Sequence, residues 1–88
     1  MNVRDTSLEA YYTQVLPTLG ERQHQVYEVF KRAHHSLTNM EVADILGWSI
    51  NRVTPRVLEL RELGMLEFAE RRRCRITGNH AMAWRKKL

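Results

Sequence analysis

With Cys74 as its one cysteine, the chain can form no internal disulfide and no CxxC metal signature, which fits a reducing compartment and excludes a disulfide-stapled secreted mini-protein. No apolar run approaches the ~18 residues that a bilayer-crossing helix needs. The opening residues, MNVRDTSLEAYY, also lack the basic-then-apolar order of a signal peptide, so a cytoplasmic protein is expected, with no membrane partner. Gly/Ser/Pro-rich linkers, internal repeats and Gly-rich phosphate loops are missing. So are paired carboxylates, an activated nucleophile and a metal cluster at workable spacing. The chain therefore reads as non-enzymatic, with no cofactor, no metal and no small-molecule ligand expected.

Acidic residues are absent from one end. Residues 71–88 carry seven Lys/Arg and no Asp or Glu, whereas residues 1–70 carry seven Lys/Arg against ten acids, so the net charge of +4 divides into +7 and −3. A segment that basic favours a polyanion, because each phosphate it neutralises releases condensed counterions. The 88 residues form one expected domain, 1–88. A chain of that size buries roughly 60% of its unfolded surface and folds without staples if it makes one compact core.

The centre of the chain is Thr38 to Gly64, TNMEVADILGWSINRVTPRVLELRELG. Met40/Ala43/Leu46 and Val53/Val57/Leu60 form two short helical stripes separated by Gly47-Trp48-Ser49, a tight turn. Two helices meeting at such a turn predict a helix-turn-helix over 38–46 and 50–63. Thr38 and Glu41 have the spacing of a capping box at the first start. Asn51, Arg52, Thr54 and Arg56 lie off the buried stripe of the second helix and should face outwards together. Pro55 costs a helix-interior hydrogen bond, so either Asn51 or Thr54 is expected to act as N-cap, with a bend or loosened turn at the start.

Upstream, SLEAYYTQVL predicts a short helix over 7–16, ended by Pro17, with Tyr11, Tyr12 and Leu16 available for a homodimer contact. Val26, Val29/Phe30 and Ala33 predict the first core helix over 21–35. His34 and His35 read as residues of that helix end, since neighbours on a helix point ~100° apart and grip one ion poorly. Downstream of Gly64, Leu66/Phe68, Cys74/Ile76 and Met82/Trp84 alternate at period two, predicting strands and a wing within 65–86. Gly78-Asn79 supplies the expected turn, with Ala81–Lys86 pairing back on Arg72–Ile76 and Arg73, Arg75 and Arg85 facing out. Cys74 is expected to be a small buried hydrophobe.

The expected class is thus α+β: mainly helical, with a small β-hairpin. The run TNMEVADILGWSINRVTPRVLELRELGMLE, followed by RRRCRITGNHAMAWRKK, resembles the winged helix-turn-helix superfamily over residues 20–86. It looks most like the small stand-alone proteins of phages and prophages, with a MarR-like core. The resemblance implies a three-helix core with a C-terminal wing, and a double-stranded DNA partner in the cytoplasm of a bacterial host. It assigns the recognition helix to Asn51, Arg52, Thr54 and Arg56, and wing contacts to Arg71, Arg72, Arg73, Arg75, Asn79 and His80. Pro55 departs from the polar residue often found in such helices. The function implied is a small transcriptional regulator, dimeric so that two helices double the site. The competing readings are a protein-interaction module and a low-specificity accessory factor in phage replication, recombination or packaging.

Overall fold

The structure, a computed structural model, describes residues 19–87. The helix expected over 7–16, and the dimer contact assigned to it, lie outside the described residues. Within them the order is α1 (Glu21–Arg32), β1 (Leu37–Thr38), α2 (Asn39–Leu46), α3 (Ile50–Glu62), β2 (Leu66–Arg73) and β3 (His80–Lys86). The strands form one antiparallel sheet of order β1-β3-β2. Three helices with such a sheet make a small α+β fold, an arrangement compatible with a winged helix. No helix among the described residues is long and apolar enough to cross a membrane.

Helix α1 buries Val26, Tyr27 and Phe30. It stops at Arg32, short of the expected 35, because Ala33 turns to extended geometry (φ −74°, ψ 143°) and directs the chain into β1. His34 and His35 are therefore exposed residues beyond the helix, not members of its last turn. Strand β1 pairs Leu37 with Trp84 and Thr38 with Ala83. Its two residues offer no periodicity to read.

Helix α2 begins where the capping box predicts. Thr38 Oγ1 accepts from the Glu41 N–H at 3.2 Å, and the Glu41 carboxylate accepts from the Thr38 N–H at 3.0 Å. Gly47 ends the helix in the left-handed region (φ 69°), where a side chain would be strained, and the Trp48 N–H returns to the Ala43 carbonyl. Ala43 is buried and Leu46 packs partly buried against the core as the expected stripe requires, while the first position is filled by the fully buried Val42 with Met40 only half-buried.

In α3 the expected stripe holds: Val53, Val57 and Leu60 are all buried. The start does not match either expectation. Ser49 is the N-cap residue, and Pro55 lies inside the helix. The Ser49 carbonyl accepts from both Arg52 N–H (3.1 Å) and Val53 N–H (3.3 Å), a tightened first turn. Pro55 then offers no N–H to the Asn51 carbonyl one turn back, and that end of the helix is exposed, where water can satisfy it.

The hairpin also departs from expectation. Strand β2 runs unbroken through the arginines to Arg73, and Cys74 to Asn79 form the turn instead of a strand. β3 therefore pairs with Leu66–Arg73, from Leu66↔Lys86 to Arg73↔His80, not with Arg72–Ile76. The turn closes through Cys74 N–H to Asn79 O at 2.8 Å and Gly78 N–H to Cys74 O at 2.9 Å, with Gly78 at φ 77°. Period-two alternation through Cys74/Ile76 belongs to this turn.

Candidate nucleic-acid interface

One irregularity in β2 decides which side chains the hairpin displays. Phe68 pairs with Trp84 but Glu70 pairs with Ala83, so Ala69 is an inserted residue, a β-bulge. Directly paired residues share a face, and the insertion exchanges the two faces for everything beyond it. Phe68, Arg71 and Arg73 consequently join Trp84, Met82 and His80 on one face. Glu67, Glu70 and Arg72 join Arg85, Ala83 and Ala81 on the other.

The second face is occupied by its own polar bonds. Arg72 donates to both Glu41 carboxylate oxygens (2.6 and 2.8 Å), to Ser36 Oγ (3.1 Å) and to the Ser36 carbonyl (2.7 Å). Ser36 Oγ donates to Glu70, and Arg85 pairs with Glu67 at 2.7 Å. Glu41 also accepts from the Arg75 N–H at 2.9 Å. Burial pushes the Glu41 pKa up. The hydrogen bonds from Arg72, Arg75 and Thr38, with the Arg72 charge, more than offset this and hold it at about 2. Hydrogen bonding to Glu41 raises the Arg72 pKa further. Arg72 thus joins the hairpin to the start of α2, and its guanidinium is not part of the exposed set. Cys74 is buried with its Sγ 3.0 Å from Thr38 Oγ1; burial raises its pKa, but hydrogen bonds from Thr38 and the turn leave it lowered.

The first face carries no carboxylate. At its base Leu66 and Trp84 are buried; further out Phe68 is 53% and Met82 52% exposed, flanked by the exposed Arg71, Arg73 and His80. Neither Arg71 nor Arg73 has an acidic partner among the described residues, so their charge is turned to solvent. Phe68 stands edge-on to Trp84 (centroids 5.8 Å, 76°), and the Arg61 guanidinium lies 3.9 Å from the Trp84 ring centroid.

Arg61 brings α3 to this face. Asn51, Thr54, Leu58 and Arg61 are exposed at steps of three and four, which gives one continuous stripe along the helix. Asn39 Nδ2 approaches Thr54 Oγ1 at 3.5 Å, and Asn39 and Met40 line a cavity of about 230 Å³ with Thr77, Met82 and Trp84. Ile76, at the hairpin turn, lies over a shallow groove with Trp48, Ser49 and Ile50. The start of α3, the turn of the hairpin and the acid-free face therefore border one another.

Of the residues expected to read bases, Asn51, Arg52 and Thr54 are exposed. Arg52 is set against the Trp48 ring, 5.6 Å from its centroid. Arg56 is half-buried and makes a bidentate pair with Glu59 (2.7 and 3.0 Å). Glu59 also accepts from Gln23 at 2.9 Å, and these bonds lower its pKa. Arg56 is thereby engaged within α3, by the carboxylate that Gln23 of α1 also holds. Of the wing residues, Arg71, Arg73, Arg75, Asn79 and His80 are exposed, and Arg75 contacts His35 at 3.2 Å. Leu58, Arg61, Phe68 and Met82 were not among the expected site residues. The stripe 51/54/58/61 was readable from helical spacing, but Phe68 and Met82 read as inward because they share the alternation of the buried Leu66 and Trp84, and no local pattern says where the core under that face ends.

No protein-family model matches this chain, and no curated protein does.

Proposed function

We propose that this chain is a double-stranded DNA-binding domain of winged helix-turn-helix type, serving as a small transcriptional regulator of phage or prophage kind in a bacterial cytoplasm. What carries the reading is the exposed polar start of α3, directly after a tight turn and bordered by a hairpin whose outer face is basic and acid-free. In it, α3 enters the major groove. Arg52 donates to guanine O6/N7 and Asn51 pairs with adenine N6/N7, each good pair contributing ~1–3 kcal/mol of discrimination. Thr54 and the free N–H groups at the helix start meet phosphate. Arg71, Arg73, Arg75, Asn79 and His80 serve the backbone or minor groove. Arg56 and Arg72 act as positioning residues, through Glu59 and Glu41. A homodimer completes the reading, since one recognition helix spans few base pairs.

The test is fluorescence anisotropy of a labelled mixed-sequence duplex at several salt concentrations. Binding should weaken steeply with salt, and selection from a random pool should return a site whose affinity falls for Arg52→Ala. No duplex binding at low salt sinks the reading.

A further inference from the structure

The acid-free hairpin face contains more than a duplex-binding wing requires. Phosphate neutralisation needs Arg71 and Arg73, but not an aromatic ring and a thioether left more than half exposed between them and the core. Phe68 and Met82 are adjacent on this face, since Phe68 pairs with Trp84 and Met82 lies two residues before Trp84 on β3. Both hairpin carboxylates, Glu67 and Glu70, lie on the opposite face, where they are bonded to Arg85 and Ser36. Charge is therefore segregated across the sheet: cations and exposed apolar groups on one side, paired acids on the other.

A ring lying on a sheet can stack only on a base that has left its own stack. Base edges in a duplex groove give it nothing to stack on. Alternating rings and cations are the chemistry that holds unpaired strands, with arginine tracking the backbone and aromatic faces taking successive bases. Phe68 is also held in place, by its edge contact with Trp84, which is itself covered by Arg61.

We propose that the face formed by Phe68, Met82, Arg71 and Arg73 binds an unpaired nucleic-acid strand. It is a second mode beside duplex reading by α3, and it would suit a protein acting where strands are opened. The inference rests on the nucleic-acid reading above but not on α3.

The experiment is anisotropy of a labelled oligothymidine and of a labelled duplex, with wild type, Phe68→Ala, Phe68→Leu, Arg71→Ala/Arg73→Ala and Arg52→Ala, each checked for native circular dichroism. Phe68→Leu keeps apolar volume against Trp84 and removes the ring. Wild type should bind oligothymidine and quench tryptophan emission. Phe68→Ala and Phe68→Leu should each weaken that binding about tenfold, within the range for losing one stacked base, with less than a twofold change on duplex. Arg52→Ala should do the reverse. Duplex binding without oligothymidine binding overturns this proposal and leaves the regulator reading standing, as does oligothymidine binding that ignores Phe68→Leu. Binding to neither overturns both, and the face is then a protein contact.

Discussion

At the scale of single residues, Glu41 has the most to lose. Its carboxylate accepts from the Thr38 N–H, the Arg75 N–H and the Arg72 guanidinium while 4% exposed. Its pKa of about 2 in the fold lies below the ordinary 4.5, so its contribution is complete above the ordinary value and drains away as pH falls from there towards 2. The span corresponds to about 3 kcal/mol. Urea unfolding of wild type and Glu41→Gln across this range should show the variant weaker by about 3 kcal/mol at neutral pH, because it leaves Arg72 without its counter-charge. The two should converge near pH 2. A constant difference at all pH values would show that the carboxylate charge is not the source. The capping half of this role was legible, since Thr38 and Glu41 are neighbours on one turn. The Arg72 half was not, because no local pattern connects residues separated by 31 positions.

Pro55 gives a second test at this scale. Its ring denies a donor to the Asn51 carbonyl inside α3, where proline is ~3 kcal/mol poorer than alanine. Pro55→Ala should therefore stabilise the fold, by about 1 kcal/mol or more by urea unfolding, since the exposed first turn already softens the cost. A destabilised variant would mean that the proline geometry suits this turn better than a regular helix does.

Among the elements, the bulge at Ala69 sets the character of the hairpin. Deleting Ala69 removes the inserted residue and leaves each pairing beyond it, from Glu70↔Ala83 to Arg73↔His80, on its present face. Arg72 then still faces Glu41. The deletion should therefore change stability in chemical denaturation by about 1 kcal/mol or less, the scale of a local strand change. A loss of about 3–5 kcal/mol, the range for breaking a buried pair, would show that the bend of the bulge itself aims Arg72 at Glu41. Helix stripes were largely legible at this scale: Val53, Val57 and Leu60 are buried as the spacing requires. Strands were legible only in their existence. Leu37–Thr38 is too short to carry a period, and Cys74/Ile76 imitate a strand because a turn alternates by chance over so few residues. The arginines read as an outward run, whereas a strand must divide them between two sides.

Across the whole molecule, the basic character of residues 71–88 divides into engaged and available charge. Arg72 and Arg85 are held by Glu41 and Glu67, which leaves Arg71 and Arg73 turned to solvent. On the proposed DNA reading, Arg71→Ala/Arg73→Ala should flatten the salt dependence of duplex binding by about 2 in the log–log slope, one for each phosphate no longer neutralised. The matching charge removal at Arg85 should hardly alter it. Equal effects would show that position within the hairpin does not matter. The sequence's charge count could identify a basic segment, but not which arginines were already spoken for.

The Glu41 carboxylate joins the start of α2 to the turn end of the hairpin, and α3 follows α2 through a turn with no slack. Helix and hairpin are then the two jaws of a caliper locked during folding. A locked caliper does not close on its object; it measures it. On the proposed DNA reading, a nucleic acid of the wrong groove width would have to deform to fit, at a cost set by its own stiffness. The molecule would thus sort targets by girth, even at base pairs that no side chain touches.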